Sequence, residues 1–291
     1  MEMHQIRYFL AVYRNQSFTR AADECNVSQP SLSSQIMKLE EELGGPLFHR
    51  SRQGARLTQR GEVFRPRAQE ILQQTEHALI DAQDLDGLSR GQVHLGCLPT
   101  TGAFLLPDLL GDFGTRYPNI HVNLLEESSP GLATALLNFD IELAILDEAG
   151  MVPGLSGDVL FTEPLYLAVP PDHPLAGQGM VDLTILADQP MILMKPGHGF
   201  HTIVHNALTR AGVDPQVVYE SAEIETVQGL VGAGLGLSLV PKMVRKAWGI
   251  SYVEIAPPSP SRTLLLGYRE GAALGPAAAA LRQVALERLR K

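Results

Sequence analysis

The sequence is poor in sulfur and has no long apolar run. Its only two cysteines, Cys25 and Cys97, lie far apart and outside any C-x-x-C pattern. That excludes a disulfide framework or a thiol-rich zinc site, and each reads as a buried thiol. No stretch of about 18 or more apolar residues occurs, so no membrane-spanning helix is expected. The start MEMHQIRYFL lacks the charged, apolar and small-residue order of a signal peptide. The expected compartment is the cytoplasm. Catalytic signatures are missing as well: there is no G-x-S-x-G, no Gly-rich phosphate loop with Lys and Ser, and no H-E-x-x-H. We therefore expect no catalytic residue, no cofactor and no metal, and not an enzyme. What is present, 291 residues with 45% hydrophobic and 19% charged, suits about two globular α/β domains and excludes disorder.

Positive charge is scarce over the whole chain, with 23 Lys and Arg against 32 Asp and Glu and a net charge of −9. Taken alone, this argues against nucleic acid. Its distribution argues otherwise. Residues 1–70 carry a balance of +2, residues 71–89 one of −4, and residues 90–291 one of −7. Arg50, Arg52, Arg56, Arg60, Arg65 and Arg67 fall within 18 residues that contain one acid, Glu62. Phosphate attraction is screened beyond roughly 10 Å, so a local basic strip can hold DNA on an anionic protein.

The N-terminal periodicity predicts three helices. QIRYFLAVYR has Ile6, Phe9, Leu10 and Tyr13 on one face, and FTRAADEC follows with the small pair Ala21 and Ala22. A turn at Asn26, Val27 and Ser28 leads to a third helix, with Ser28 as N-cap and Pro30 in its first turn. Leu32, Ile36, Leu39 and Leu43 make its buried stripe. Off that stripe lie Gln29, Ser31, Ser33, Ser34, Gln35 and Lys38, short amides, hydroxyls and a cation able to reach base edges and phosphates in a major groove. Gly44 and Gly45 stop the helix, and PLFHRSRQGARLT reads as a two-stranded wing carrying Arg50, Arg52 and Arg56. The competing reading is a helical bundle used only for packing. Residues 1–58 are thus expected to be an all-α winged helix-turn-helix contacting double-stranded DNA through Ser28, Gln29, Pro30, Ser31, Ser33, Ser34, Gln35, Lys38, Arg50, Arg52 and Arg56.

Residues 59–88 are expected to form a long linker helix. Phe64, Ala68, Ile71, Thr75, Ala78, Ala82 and Leu85 step by 4 and 3 in turn, a heptad seam. Some thirty residues of helix extend about 45 Å, so the seam is expected to pair with a second chain, giving a dimer that reads an interrupted palindrome. Packing on the chain's own C-terminal part is the alternative. Pro66 is expected to kink the helix or sit in its first turn.

From residue 89 strands and helices alternate, first as βαβαβ and then in a second set, with RTLLLGYR and a closing helix at the end. This predicts a two-lobed α/β effector domain resembling periplasmic binding proteins, lobe I over 91–162 and 268–291 and lobe II over 163–267. The expected crossings lie near 161–165 and 262–268, and helices near 101–116, 132–138, 201–210 and 223–232. Ligands of open α/β sheets bind beyond the carboxyl ends of strands. Those ends give Thr100, Thr101 and Gly102, then Ser128 and Ser129, then Leu146 and Asp147, and the loop with His198, Phe200, His201 and Thr202. Hydroxyls, N–H groups and imidazoles suit a small polar or anionic effector, with Phe200 as an apolar wall.

The run FTRAADECNVSQPSLSSQIMKLEEELGGPLFHRSRQGARLTQRGEVF resembles the winged helix-turn-helix of the LysR-type bacterial transcriptional regulators in its paired alanines, V-S-Q-P, Q-I, K-L-E, E-L-G, L-F-x-R and L-T-x-x-G. Members often carry Arg where Ser34 or Met37 stands here. GCLPTTGAFLLPDLL, LLEESSPGL, ELAIL, DHPLAG and VGAGLGLSLVP resemble the family's effector domain. The wording of LPTTGAFLLP, SLSSQIMKLEEELG and KPGHGF is similar to the peroxide-sensing OxyR branch. There a reactive Cys follows the Gly-His of that loop; here Gly199 follows Gly197 and His198, and no Cys occurs after Cys97. The resemblance implies a DNA-binding regulator assembling as a homodimer and then a tetramer, acting on RNA polymerase. Its alternatives are a thiol redox regulator using Cys25 or Cys97, and a solute-binding protein or enzyme using the α/β cleft.

Overall fold

Three helices, α1 (Met3–Asn15), α2 (Phe18–Glu24) and α3 (Gln29–Glu42), begin the chain. The computed structural model describes residues 1–51, 54–83, 91–244 and 249–290, without the side chains of 76–77 and 80–83. The apolar stripes meet in one core: Ile6, Phe9 and Leu10 of α1, Ala21 and Ala22 of α2, and Leu32, Ile36 and Leu39 of α3. Each large side chain so buried contributes roughly 1.5–3 kcal/mol. Strands β1 (Phe48–Ser51) and β2 (Gly54–Leu57) pair antiparallel as the wing, and α4 (Gln59–Gln83) follows. Pro66 stands in the interior of α4, not in its first turn. Residues 84–88, the expected end of the linker helix, lie outside the described residues.

The remaining chain is α/β. Its elements are β3 (Gly91–Cys97), α5 (Pro99–Phe104), α6 (Leu106–Arg116), β4 (Ile120–Glu126), α7 (Ser129–Leu137) and β5 (Leu143–Asp147), then β6 (Leu155–Val169), β7 (Met180–Val181), β8 (Pro190–Met194), α8 (Gly199–Arg210) and β9 (Gln216–Ser221). They are followed by α9 (Ile224–Gly232), β10 (Ser238–Pro241), β11 (Ser251–Ile255), β12 (Ser261–Arg269) and α10 (Pro276–Leu289). The elements fall into two compact units, α1 through α4 and β3 through α10. Among the described residues no helix is long and apolar enough to cross a membrane.

In the second unit β3 pairs in parallel with both β4 and β5, as alternating strands and helices require. β12 then joins antiparallel between β5 and β6. The long strand β6 serves two neighbourhoods: residues 155–164 pair with β12, and residues 165–169 pair with β10 and β11. β8 and β9 form a separate parallel pair. One core gathers Val93, Leu95, Phe113 and Leu281 around β3 and α10, and another gathers Leu167, Ile192, Val204 and Val227 around β8, α8 and α9. The helix expected over 101–116 is two helices separated at Leu105, where Pro107 starts a new first turn without a free N–H. Helices α7 and α8 start three and two residues earlier than their periodicity suggested, at Ser129 and Gly199.

Candidate functional site

The first unit presents the surface the sequence assigned to DNA. Ser17 caps α2 by accepting from the Arg20 N–H at 3.3 Å, and Ser28 caps α3 by accepting from the Ser31 N–H at 3.3 Å. Between them Asn26 takes the left-handed conformation at φ 54°, a residue type that tolerates it, and the Val27 N–H reaches the Ala22 carbonyl at 3.0 Å. Ser28, Gln29, Pro30, Ser31 and Lys38 are exposed, while Ser33, Ser34 and Gln35 are half-buried. Gln29 donates to Ser33 Oγ at 2.8 Å. The buried Gln5 donates to the Gln35 side-chain carbonyl at 3.1 Å, which leaves the amide NH2 of Gln35 and one lone pair of its oxygen to be offered.

The wing divides its arginines. Period two places Arg50, with Phe48, Ala55 and Leu57, on the face turned to the helices, and His49 with Arg56 on the other. The Arg50 guanidinium lies 4.5 Å from the Phe18 ring centroid and 3.5 Å from Glu40 Oε2. Arg56 is exposed and unpaired among the described residues; Arg52 lies outside them. Glu40, near the end of α3, accepts the Leu47 and Phe48 N–H groups at 2.8 and 3.4 Å and ties the wing to α3. Arg60 donates to the Leu43 carbonyl at the end of α3, and Arg65 lies 4.9 Å over the Tyr13 ring. His49 was missed, because only the strand register places it beside Arg56.

The junction of wing and linker is equally local. Thr58 Oγ1 donates to the Pro46 carbonyl at 2.7 Å and accepts the Gly61 N–H at 3.1 Å, capping α4. A Cβ on Gly61 would lie 2.3 Å from the Leu47 carbonyl oxygen, which accounts for L-T-x-x-G.

Part of the expected dimer seam is corrected. Phe64 packs on Phe9 at 5.1 Å between centroids, Ala68 is fully buried, and Ile71 and Leu72 lie against the same core. Phe64 and Ile71 therefore face the chain's own helices; the heptad spacing could not say which surface covers them. Thr75 is half-buried and donates to the Ile71 carbonyl at 2.8 Å, whereas Ala78 is exposed, with Leu79 at 52% exposure beside it. Ala82 lies within α4 with its side chain outside the description, and Leu85 lies outside the described residues.

In the second unit several strand ends meet. The ends of β3, β5 and β8 and the starts of α5, α7 and α8 bound a cavity of about 30 Å³, lined by Leu98, Pro99, Thr100, Ser128, Ser129, Asp147, Met194, His198, Gly199, Phe200, Ala222, Ile224 and Arg262. Thr100, Ser128, Ser129, His198 and Phe200 of the expected site are brought together here. Thr101 is not among them: it is fully buried and donates to the Leu98 carbonyl at 2.8 Å. Gly102 packs toward Glu126 and Cys97, Leu146 points into an apolar core, and Asp147 takes its place at the cavity. His201 and Thr202 lie within α8 away from the lining. His201 stacks on His205 with centroids 5.8 Å apart, and burial followed by the His205 charge holds its imidazole below the ordinary value. A larger open groove of about 530 Å³ beside α8 and the 256–261 segment collects none of the expected residues.

Three groups the sequence did not single out define the cavity chemically. Arg262, 2% exposed, donates through Nε to Glu163 Oε1 at 2.8 Å and through Nη1 to Thr100 Oγ1 at 3.1 Å. Its guanidinium is 5.6 Å from the Phe200 ring. Glu163, also buried, accepts the Met243 N–H on its other oxygen at 2.7 Å. Glu163 in β6 and Arg262 in β12 fall at the two expected crossings, and only the register opposing Arg262 to Glu163 pairs them. The third is Gly199: a Cβ there would stand 2.5 Å from Asp147 Oδ2 and 2.9 Å from Ser129 Oγ. Ser129 Oγ donates to Asp147 Oδ1 at 2.8 Å, both residues being buried. Burial pushes the Cys97 thiol up to about 12, and burial together with Glu24 raises that of Cys25. No cluster of three or more His, Cys, Asp or Glu fit for a metal occurs among the described residues.

Comparison with known proteins gives two family matches. Residues 3–62 match the model described as bacterial regulatory helix-turn-helix protein, lysR family, and residues 86–290 match LysR substrate binding domain. The chain is 33% identical to the HTH-type transcriptional regulator YybE of Bacillus subtilis over 284 residues, 97% of each chain. It is 31% identical to the DNA-binding transcriptional dual regulator OxyR of Escherichia coli over 278 residues, 94% of this chain and 91% of that one. Among solved structures, a full-length OxyR variant from Pseudomonas aeruginosa superposes with a TM-score of 0.80 at 29% identity, covering 100% of this chain and 95% of the other. HinK of Pseudomonas aeruginosa gives 0.65 at 27% identity, covering 99% and 98%.

Proposed function

The chain belongs to the LysR family of bacterial transcriptional regulators, with a helix-turn-helix and an effector-binding domain, and from that premise we propose how it works. It is a cytoplasmic, non-catalytic regulator. It binds double-stranded DNA through the exposed face of α3, with Ser31, Ser33, Ser34, Gln35 and Lys38 toward the groove and Arg56, His49 and Arg52 of the wing toward phosphates. A small polar effector binds the cavity between the α/β lobes. The observation that carries this reading is the convergence of Thr100, Ser128, Ser129, His198 and Phe200, from separate strand and helix ends, on one cavity.

Self-association supplies the two half-site contacts. Edge strands β4 and β9 expose Leu124 and Leu125, and Val217, Val218 and Tyr219, and α4 exposes Leu79; these apolar positions support a homodimer that assembles to a tetramer. Effector binding shifts the balance between lobe arrangements, altering the assembly and the DNA it bends for RNA polymerase.

Fluorescence anisotropy on the intergenic DNA upstream of its own gene tests the reading. The expected result is tight binding at low salt with protection of an interrupted palindrome, weakened by the triple change Ser33→Ala, Lys38→Ala and Arg56→Ala. Equal binding by that variant would overturn the assigned face.

A further inference from the structure

We infer that Met37 reads base sequence in this protein, its thioether side chain packing on the C5-methyl group of thymine in the major groove. The inference rests on the reading above, that the outward face of α3 enters the groove, and deepens it. A helix advances about 100° per residue. The buried Leu32, Ile36 and Leu39 mark the inner face of α3, and Met37 lies about 130° round from their centre. It stands one turn from Ser33 and Ser34 on one side and one turn from Glu41 on the other.

Exposure sets it apart. A single exposed apolar side chain is ordinary on a protein surface. Met37 at 47%, however, is apart from Met1 the one large hydrophobic residue that is exposed among the described residues of α1, α2, α3 and the wing. It interrupts a face otherwise made of hydroxyls, amides and charges.

Chemistry narrows what that side chain recognises. A thioether is at most a weak acceptor, so the hydrogen-bonding edges of guanine, adenine and cytosine gain little from it. Thymine is the base that carries a methyl group in the major groove. Covering that methyl takes two apolar surfaces out of water at once, and the flexible stem of Met adapts to it. Its neighbours leave the spot to it. α3 carries no Arg to take guanine O6 and N7. The Gln29 amide donates to Ser33 Oγ at 2.8 Å, and Lys38 lies about 100° further round. Long helical side chains lean toward the N-terminus. Met37 is thereby brought toward Ser33 and Ser34, at the end of a recognition helix that meets base edges.

The test lets the full-length protein enrich its own duplex from a random pool. Anisotropy then measures binding of that duplex with each thymine of the half-sites replaced in turn by uracil, which lacks only the methyl. At one or more positions the native chain is expected to lose about fourfold in affinity for each methyl removed. Met37→Ala, an exposed change to the best helix former, is expected to keep the urea midpoint and to show no further loss at those positions. Equal sensitivity of Met37→Ala and the native chain at every thymine, or a native chain indifferent to all of them, would overturn the inference. The triple change Ser33→Ala, Lys38→Ala and Arg56→Ala separates the two levels. If it releases the duplex while the methyl response ignores Met37, the face of α3 stands and the role of Met37 fails. If it holds the duplex as tightly as the native chain, or if the native chain enriches no duplex, the reading of the face fails and takes the inference with it.

Discussion

A methyl group at position 199 would lie 2.5 Å from Asp147 Oδ2 and 2.9 Å from Ser129 Oγ. Gly199→Ala must therefore displace a buried carboxylate and its hydroxyl partner, and overpacking of this kind costs about 1–3 kcal/mol. Urea denaturation is expected to show that loss in the second unit; an unchanged midpoint would mean the contact yields freely. Cys97 makes the opposite kind of prediction, an absence of reactivity. With its thiol pushed up to about 12 chiefly by burial, the thiolate that reacts is scarce at any pH below that value. Iodoacetamide at pH 8 is expected to leave Cys97 unmodified in the folded protein and label it in urea, read by mass spectrometry. Rapid native labelling would reopen a redox role. At this scale the sequence was legible where a residue's role follows from its place in the chain. Thr100, Ser128 and Ser129 were found because they follow strands. Arg262 and Glu163 were hidden because each lies inside a strand, and only cross-strand register opposes them. Counting arginines likewise could not separate Arg56, exposed on the wing, from Arg60 and Arg65, which serve a helix end and a Tyr ring.

Among the elements, the wing and the linker show what a periodic pattern leaves open. The helices of the first unit were readable because each buries one stripe, and the turn because Asn26 and Ser28 have local tasks. The seam of α4 was readable as a stripe but not as an interface, since Phe64, Ala68 and Ile71 are covered by α1 and its neighbours. Glu40 has a task on α3 that the helical pattern does not show. Two backbone N–H groups at the start of the wing depend on its Oε1, and Arg50 approaches its Oε2. Removing such an acceptor leaves partly buried donors unpaired, at about 1–3 kcal/mol. Glu40→Ala is expected to lower the stability of the first unit by that amount in urea, and to weaken DNA binding although it removes a negative charge from the DNA-binding unit. Tighter binding by Glu40→Ala would show that charge, not the anchoring of the wing, is what Glu40 contributes.

Over the whole molecule the net charge of −9 divides into +2 on residues 1–70 and −11 on the remainder. An acidic body repels DNA except through its small basic end, and this restricts which cations can release counterions from the duplex. The structure narrows them further. Arg60 is held by the Leu43 carbonyl and Arg67 pairs with Glu70 at 3.0 Å, whereas Lys38 and Arg56 are exposed without a partner among the described residues. The affinity for DNA falls with salt at a slope of about −0.9 for each phosphate neutralised. Lys38→Ala and Arg56→Ala are each expected to reduce the slope of log affinity against log salt by about 1, with unfolding midpoints unchanged. Arg60→Ala is expected to do the reverse, lowering the midpoint through the lost cap on α3 while leaving the slope as it was. Anisotropy titrations between low and moderate salt, paired with urea melts of the same variants, distinguish the two classes; an Arg60→Ala slope reduced as far as that of Arg56→Ala would put Arg60 on the DNA and remove the distinction.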